Sequence, residues 1–127
     1  MTQPEFITNL LNENKGAVVI GSLGTISYTL DTIDHPNKIC VRGAMGCVMG
    51  AGLGYALNTD KRVIVLIGDG AYLMHMGNIA TILKYQPKNL EIYILNNKQH
   101  KSTGGQPTNF EQIKHLVPTH FNIVEIE

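Results

Sequence analysis

The sequence has no tryptophan, no net charge and no long apolar run. Its ten basic residues balance its ten acidic residues, which argues against binding to nucleic acid or to a membrane surface through overall charge. No segment approaches the roughly 18 consecutive apolar residues of a membrane-spanning helix, and the polar residues 1–5 lack a signal-peptide pattern. We therefore expect a cytoplasmic protein whose ligand is a small molecule.

Cysteine is scarce as well, with two residues in the chain. Cys40 falls on a predicted strand and Cys47 on a predicted helix, and without a secretory signal a disulfide framework is not expected. We predict that both thiols are buried in the core.

The chain length of 127 residues is enough for one packed core but not for two. Residues 1–127 are therefore predicted to form a single domain. A second catalytic domain, if the chemistry requires one, must come from elsewhere.

Glycine, in contrast, is abundant. The 13 glycines exceed the usual share of about 7%, and they cluster between Gly43 and Gly70. Three of them, Gly46, Gly50 and Gly54, are spaced four apart in a predicted helix over 44–57, so they share one face. Because a glycine inside a helix costs about 1 kcal/mol relative to alanine, we predict that another element or a subunit packs closely on this face.

The two clearest strands both end in polar residues. The strand predicted over 63–67 is apolar and mostly β-branched and ends at Gly68-Asp69-Gly70. The strand predicted over 90–95 ends at Asn96-Asn97. Strands buried on both faces of a parallel sheet have this pattern. Since ligands lie at the carboxyl ends of such strands, Asp69 and Asn97 are predicted to offer oxygen ligands to one hard cation such as magnesium.

The remaining periodicities alternate between strands and helices. They predict strands over 17–20, 38–41 and 120–126, and helices over 3–14, 26–32, 71–85 and near 110–116. This order predicts an α/β fold, a doubly wound and mostly parallel sheet of about five strands with helices on both faces, and an exposed edge at the last strand. The glycine turn at 21–24 is either a phosphate-binding loop or an ordinary βα turn, and the sequence leaves both interpretations open.

The spacing of the two strand ends resembles a known signature. Gly68-Asp69-Gly70, followed after 25 residues by Asn96-Asn97, is similar to the motif of thiamine-diphosphate-dependent enzymes. The segments 43–46, 52–54 and 102–108 resemble the cofactor-binding half of the phosphonopyruvate and sulfopyruvate decarboxylases, either the β subunit or the C-terminal half. The resemblance implies the thiamine-diphosphate-binding fold, with this chain as the diphosphate-binding domain.

The resemblance also implies a set of site residues. Magnesium would be bound by Asp69, Asn97 and the backbone carbonyl of Gln99. Met45 would support the cofactor from beneath, and Gly43 would accept a hydrogen bond from the pyrimidine amine. The implied cofactor-binding residues are Gly43, Ala44, Met45, Gly68, Asp69, Gly70, Ala71, Tyr72, Asn97 and Gln99, of which Gly70, Ala71 and Tyr72 would offer backbone donors to the diphosphate.

Two loop residues are candidates for contact with the substrate. The loop over 98–108 has no hydrophobic periodicity and is rich in hydrogen-bonding groups, as a binding loop would be. Together with Met45, His100 and Thr103 are therefore our candidate catalytic residues. The alternative for His100 is a solvent-exposed loop histidine without a role in the chemistry.

The implied activity is the decarboxylation of a 2-oxo acid, in which the cofactor accepts the electrons released with carbon dioxide. In these enzymes the activating glutamate comes from a pyrimidine-binding domain, which this chain does not contain. We therefore expect a partner subunit that supplies the glutamate, in a hetero-oligomer. The alternatives are a carboligase of the acetolactate-synthase type and a non-catalytic cofactor-binding or assembly module. The sequence contains no G-x-G-x-x-G fingerprint, which argues against a nicotinamide-binding site.

The sequence departs from these relatives at three places. Ala44 stands where they usually have serine. Where they read roughly G-F-x-S-R-E, residues 24–29 contain neither the arginine nor the glutamate. A βα unit near the C-terminus is missing, since the last strand follows soon after Pro118. Because phosphonate and sulfonate dianions are commonly held by bidentate guanidinium contacts, the missing arginine argues against such a substrate, and the sequence does not identify the acyl substrate.

Overall fold

The computed structural model describes residues 1–127 and contains five α-helices and seven β-strands. The helices are α1 (Gln3–Glu13), α2 (Thr25–Asp31), α3 (Val48–Ala56), α4 (Asp69–Met74) and α5 (Asn78–Tyr85). The strands are β1 (Val18–Gly21), β2 (Lys38–Cys40), β3 (Val63–Gly68), β4 (Leu90–Asn96), β5 (Gln99–His100), β6 (Gln106–Pro107) and β7 (Asn122–Glu125). Short 3-10 turns cover Lys101–Thr103, Phe110–Gln112 and Lys114–Leu116. None of the helices combines the length and apolar character needed to cross a membrane.

The main sheet has five parallel strands in the order β2-β1-β3-β4-β7. The predicted α/β fold and the edge position of the last strand are confirmed. Strand β1 continues through α2 to β2 on one side, whereas β3 lies on its other side. The winding direction therefore reverses between β1 and β3, and ligands of open α/β sheets bind at the carboxyl ends of strands at such a point.

Strand β3 is the centre of the core. Every residue from Val63 to Ile67 is fully buried, and successive side chains point to opposite faces of the sheet. Val65 packs in the cluster beneath α3, α4 and α5, and Ile64 packs in the cluster beneath α1 and α2. Because burying an aliphatic side chain contributes roughly 1.5–3 kcal/mol, this strand holds its carboxyl end, and hence Asp69, in a fixed position.

Two predicted helices have different bounds in the structure. The helix predicted over 44–57 begins only at Val48, because Gly46 has a φ of +85° and cannot belong to a right-handed helix. The helix predicted up to residue 85 is divided into α4 and α5 by a turn over 75–77. Both differences lie in loops beside the carboxyl ends of the strands.

The prediction that three glycines share one helix face is wrong, whereas the packing of a subunit on Gly50 and Gly54 stays a prediction. Gly46 precedes the helix, and the position of a Cβ on Gly54 has no atom within 4 Å. Gly46 packs against α4 from outside α3, and within α3 a Cβ on Gly50 would lie only in ordinary contact, 3.6 Å from the Asn78 side chain. The close contact is made by Gly52, where an added Cβ would overlap Cγ2 of Val65.

Gly52→Ala is therefore expected to lower the free energy of unfolding by about 1–3 kcal/mol, because the added methyl group forces α3 away from β3. Gly54→Ala is the matched control and should raise the free energy of unfolding by up to about 1 kcal/mol, since alanine is the better helix former at an open position. Urea unfolding of both variants measures the difference. Equal effects at the two positions would contradict the assigned packing.

The prediction that both cysteines are core thiols is wrong for Cys47. Both cysteines are free, as predicted, but Cys40 is half-buried and Cys47 is exposed. Cys47 immediately follows the left-handed Gly46, and its Sγ lies 4.0 Å from Nδ1 of His75. The late start of α3 therefore leaves this thiol at the surface.

Candidate functional site

A cleft lies at the carboxyl ends of β1, β3 and β4, where the winding direction of the sheet reverses. Its volume is about 110 Å³. It brings together nine of the predicted site residues, namely Met45, Gly68, Asp69, Gly70, Ala71, Asn97, Gln99, His100 and Thr103. Residues from separate stretches of the chain therefore meet at the point where an α/β fold places its ligand.

Three predicted residues do not line the cleft. Gly43 and Ala44 are exposed in the loop that precedes Met45. The Tyr72 side chain is fully buried and packs edge-on against Phe110, with ring centroids 5.8 Å apart. Burial raises the pKa of Tyr72 to about 12, and its hydroxyl has no hydrogen-bond partner. Tyr72 therefore belongs to the core through its side chain, and only its backbone is near the cleft at the start of α4.

Asp69 is the most constrained polar residue of the cleft. The residue is 1% exposed. Oδ1 accepts a hydrogen bond from the backbone N–H of Asn97 at 3.4 Å, and Oδ2 accepts one from the Thr108 hydroxyl. The carboxylate thus joins α4, the end of β4 and the segment after β6. Sequence reasoning missed Thr108, because a contact 39 residues away leaves no local pattern.

The two consecutive asparagines at the end of β4 point in different directions. Asn97 lines the cleft, and its Oδ1 accepts a hydrogen bond from the backbone N–H of Gln99 at 3.2 Å. Asn96 is fully buried, and its Nδ2 donates to the carboxylates of Glu111 and Glu125 at 2.9–3.2 Å. Since neighbouring residues of a strand face opposite sides, only the second asparagine presents its side chain to the cleft.

Asn96 belongs to a charged network at the sheet edge. Lys114 Nζ donates to Glu125 Oε2 at 2.8 Å. Partial burial raises the pKa of Glu125, but the hydrogen bonds from Lys114 and Asn96 outweigh this and lower it below the usual value. The network therefore ties β4 to β7 and fixes the backbone that carries Asn97.

The β5–β6 hairpin covers the first turn of α4. A Cβ on Gly70 would lie 2.8 Å from Cε1 and Nδ1 of His100 and 3.4 Å from Cγ2 of Thr108. Glycine at this position therefore lets the imidazole pack directly against the helix backbone. His100 is half-buried in the cleft wall, not on an exposed loop, whereas Thr103 lies at the exposed rim.

Met45 is held in the cleft by the turn that follows it. Its half-buried side chain packs against the core cluster beneath α3 and α4. A Cβ on Gly46 would lie 2.5 Å from Nδ1 of His75 and 3.1 Å from the carbonyl oxygen of Ala71. This close approach of two backbones places an apolar side chain beside the polar groups of Asp69 and Asn97.

The turn at 21–24 has the features of an ordinary βα turn. An added Cβ on Gly21 would overlap Cδ1 of Leu30, and Gly24 has a φ of +82°. The backbone N–H of Ser22 donates to Leu66 O at 2.9 Å. Packing and conformation therefore account for both glycines, although Ser22 and Leu23 do line the cleft.

The groups in the cleft fit a magnesium diphosphate. The Asp69 carboxylate, the Asn97 carboxamide and the nearby backbone carbonyls are hard oxygen donors, and magnesium is typically bound by one or two carboxylates together with phosphate oxygens and water. Helix α4 starts at Asp69 without a side-chain cap. Backbone donors near Gly70 and Ala71 are therefore next to the oxygen ligands.

Comparison with known proteins identifies relatives of the chain. A family model described as "Thiamine pyrophosphate enzyme, C-terminal TPP binding domain" matches residues 20–126. A phosphonopyruvate decarboxylase of Streptomyces hygroscopicus is 44% identical over 95 residues, which are 72% of this chain and 23% of the relative. The sulfopyruvate decarboxylase subunit beta of Methanothermobacter thermautotrophicus is 40% identical over 105 residues, 82% of this chain and 55% of the relative.

A second archaeal relative has similar coverage. The sulfopyruvate decarboxylase subunit beta of Methanocaldococcus jannaschii is 36% identical over 98 residues, 76% of this chain and 52% of the relative. The chain thus spans about a quarter of the Streptomyces protein and about half of the archaeal subunits.

Proposed function

We propose that this chain is the thiamine-diphosphate- and magnesium-binding subunit of a 2-oxo acid decarboxylase. The premise is that the chain belongs to the thiamine pyrophosphate enzyme family and corresponds to the C-terminal TPP-binding domain of these enzymes. The observation that carries the proposal is the cleft, in which Asp69, Asn97 and Met45 meet at the carboxyl ends of the central strands. The names of the relatives, phosphonopyruvate and sulfopyruvate decarboxylases, support a non-oxidative release of carbon dioxide.

The chain's own residues would hold the cofactor by its charged end. Asp69, Asn97 and the carbonyl of Gln99 would bind the magnesium ion, and the backbone N–H groups of Gly70, Ala71 and Tyr72 would bind the diphosphate. Thiamine diphosphate, when bound, supplies the electron sink that the loss of carbon dioxide from a 2-oxo acid requires. The Thr108 hydroxyl donates a hydrogen bond to Oδ2 of Asp69 and would help to orient this carboxylate towards the metal.

His100 and Thr103 would act on the substrate side of the cleft. The His100 ring packs against Gly70, and its ring nitrogens can donate or accept a hydrogen bond, so it would contact a polar group of the substrate. Thr103, at the rim, would offer a hydroxyl to a polar group of the substrate.

Met45 is proposed to shape the bound cofactor and exclude water from it. Met45→Leu, which roughly conserves volume, should cost less than about 1.5 kcal/mol of stability and retain partial turnover. Met45→Ala should reduce turnover more than it reduces cofactor affinity. Steady-state rates and calorimetric affinities of the two variants separate these effects. A loss of activity in Met45→Ala that matches only the loss of folded protein would exclude this role.

A partner subunit is proposed to complete the site. The cleft volume of about 110 Å³ is below the roughly 300–1,000 Å³ of typical small-molecule sites. Asp69 is the only acidic residue that lines it, so no second carboxylate of this chain is positioned to activate the pyrimidine. The subunit designation of the archaeal relatives supports a hetero-oligomer in which a facing chain supplies the glutamate.

The test is product analysis on the reconstituted complex with thiamine diphosphate, magnesium and a panel of 2-oxo acids. A decarboxylase should release carbon dioxide and an aldehyde. An acyloin product would instead identify a carboligase of the acetolactate-synthase type. Failure to bind the cofactor with every candidate partner would identify a non-catalytic binding or assembly module.

A further inference from the structure

A charged network surrounds the residue that precedes Asn97. Its members are Asn96 at the end of β4, Glu111 and Lys114 in the 3-10 turns after β6, and Glu125 on the edge strand β7. We call these four residues the edge network. None of the four lines the cleft. Any influence of the edge network on the cleft must therefore pass through the backbone of Asn96 and Asn97.

Two carboxylates set the orientation of the Asn96 side chain. Asn96 is fully buried, and its Nδ2 donates to Glu111 Oε1 at 2.9 Å and to the Glu125 carboxylate oxygens at 3.1 and 3.2 Å. Its Oδ1 is buried and has no hydrogen-bond partner. Because a buried amide without partners is costly, Asn96 keeps this orientation only while the two carboxylates accept from it.

One ammonium group lets the two carboxylates approach the same amide. Lys114 Nζ lies 2.8 Å from Glu125 Oε2 and 3.7 Å from Glu111 Oε2. The hydrogen bond to Glu125 raises the pKa of Lys114 above its usual value. Since like charges repel each other, the two carboxylates would move apart without this ammonium. Lys114 is therefore the counter-charge that keeps both acceptors on Asn96.

The peptide between Asn96 and Asn97 depends on this anchoring for its position. On one side, the carbonyl of Asn96 accepts from the N–H of Ile126 at 3.0 Å. On the other side, the N–H of Asn97 donates to Oδ1 of Asp69 at 3.4 Å, which is longer than the roughly 2.7–3.2 Å of a typical N–H···O hydrogen bond. Because a long contact restrains the peptide weakly, the anchoring of Asn96 decides where Asn97 lies relative to Asp69.

The segment that holds Asp69 also belongs to this arrangement. Thr108 donates to Oδ2 of Asp69, and Glu111, three residues later, accepts from Asn96. Between them Phe110 is fully buried, and its N–H donates to the Thr108 hydroxyl oxygen at 3.4 Å. One short segment therefore contacts both Asp69 and the residue that precedes Asn97.

We infer that Glu125 is a positioning residue for the proposed metal ligand Asn97, on which it acts through Asn96. The inference rests on the proposed function, because it takes Asn97 as a ligand of the magnesium ion. Groups that orient a metal ligand are typically worth roughly 10–100-fold in metal affinity, and magnesium requires nearly octahedral geometry. An edge network that only joined β7 to β4 would change stability and leave the metal affinity unchanged.

The inference is tested by metal binding to the reconstituted complex with thiamine diphosphate. Mn²⁺ is the probe for the magnesium site, and electron paramagnetic resonance measures the free metal. Glu125→Ala should weaken Mn²⁺ binding by roughly tenfold or more, because Asn96 loses an acceptor. Glu125→Gln should restore part of the affinity, since its amide oxygen still accepts from Asn96. At saturating Mn²⁺ both variants should bind thiamine diphosphate as the unaltered complex does, because the cleft itself is intact.

Lys114→Met is a second variant, which removes the counter-charge and leaves both carboxylates in the chain. It should weaken Mn²⁺ binding in the same direction by up to about fivefold, as expected for the loss of a partly exposed ion pair. Because it changes only one half-buried side chain of a surface turn, it keeps the inference testable if Glu125→Ala fails to fold.

An ion pair at the opposite end of β4 provides the matched control. Glu91 pairs with Arg62 at 2.5 Å, and neither residue lines the cleft. Glu91→Ala therefore removes a comparable ion pair without changing the partners of Asn96. It should shift the midpoint of thermal unfolding to an extent comparable with Glu125→Ala and leave Mn²⁺ binding unchanged.

Two results would overturn the inference: unchanged Mn²⁺ affinity in folded variants of Glu125 and Lys114, or an equal loss of affinity in Glu91→Ala. Neither affects the proposed function when Asp69→Ala abolishes binding in the same assay. A complex of the unaltered chain that binds no Mn²⁺ in the presence of thiamine diphosphate would instead overturn the proposed function, and the positioning role of Glu125 with it.

Discussion

Asp69→Ala is expected to abolish the magnesium-dependent binding of thiamine diphosphate. The substitution removes a metal ligand and the negative charge that offsets the cation, and magnesium offers few other protein ligands. The surrounding fold should persist, because Asp69 follows the fully buried residues Val63–Ile67 of β3. Isothermal titration calorimetry on the reconstituted complex, with and without magnesium, measures the loss.

The stability cost of this variant needs its own control. Without the carboxylate, the Thr108 hydroxyl and the N–H of Asn97 lose their acceptor, at about 1–3 kcal/mol for a buried polar group left unpaired. Asp69→Asn keeps the size and one acceptor oxygen but removes the charge, so it should fold better and still fail to bind. Asp60→Ala removes a carboxylate from an exposed turn and should bind normally. Unchanged affinity in folded Asp69→Ala or Asp69→Asn would refute the metal assignment.

The isolated 127-residue chain is expected to release no carbon dioxide from any 2-oxo acid, and to become active only with a second polypeptide that carries a pyrimidine domain. Asp69 is the sole acid in the cleft and is assigned to the metal. None of these 127 residues is therefore positioned to act as the activating glutamate, and the proposed partner would supply it. Carbon dioxide release is measured for the chain alone, for the candidate partner alone and for the mixture, with thiamine diphosphate and magnesium in each.

A partner with its candidate glutamate changed to glutamine provides the control for this experiment. It should assemble with the chain and leave the mixture inactive, which separates the need for the carboxylate from the need for assembly. Robust turnover by the isolated chain would contradict the two-chain arrangement.

The elements with strong hydrophobic periodicity were predictable because their signal is local. The five consecutive apolar residues from Val63 to Ile67 predict a central strand of a parallel sheet. The polar residues that end β3 and β4 place Asp69 and Asn97 at the same edge, since parallel strands have their carboxyl ends together. The family signature relies on the same two strand ends, and the family match confirms that resemblance.

The errors occurred where the backbone conformation depends on contacts between distant residues. Gly46 adopts a left-handed conformation because it packs against His75 and Ala71, and this delays the start of α3 and exposes Cys47. The helical pattern through residues 44–57 contains no sign of that contact. Gly52 differs from Gly54 only in what lies opposite it, so composition and spacing do not separate the packed glycine from the open one.

The sequence by itself determined the parallel α/β sheet, its central strand and the pair of polar strand ends, because each of these follows from periodicity within a few residues. Tertiary structure alone decided which donors surround those ends. Thr108 reaches Asp69 only after the β5–β6 hairpin folds over α4. His100 packs against Gly70 only because β5 lies over the first turn of α4. The physical reason is that side-chain proximity across 39 residues of chain depends on packing between elements, which no local pattern encodes.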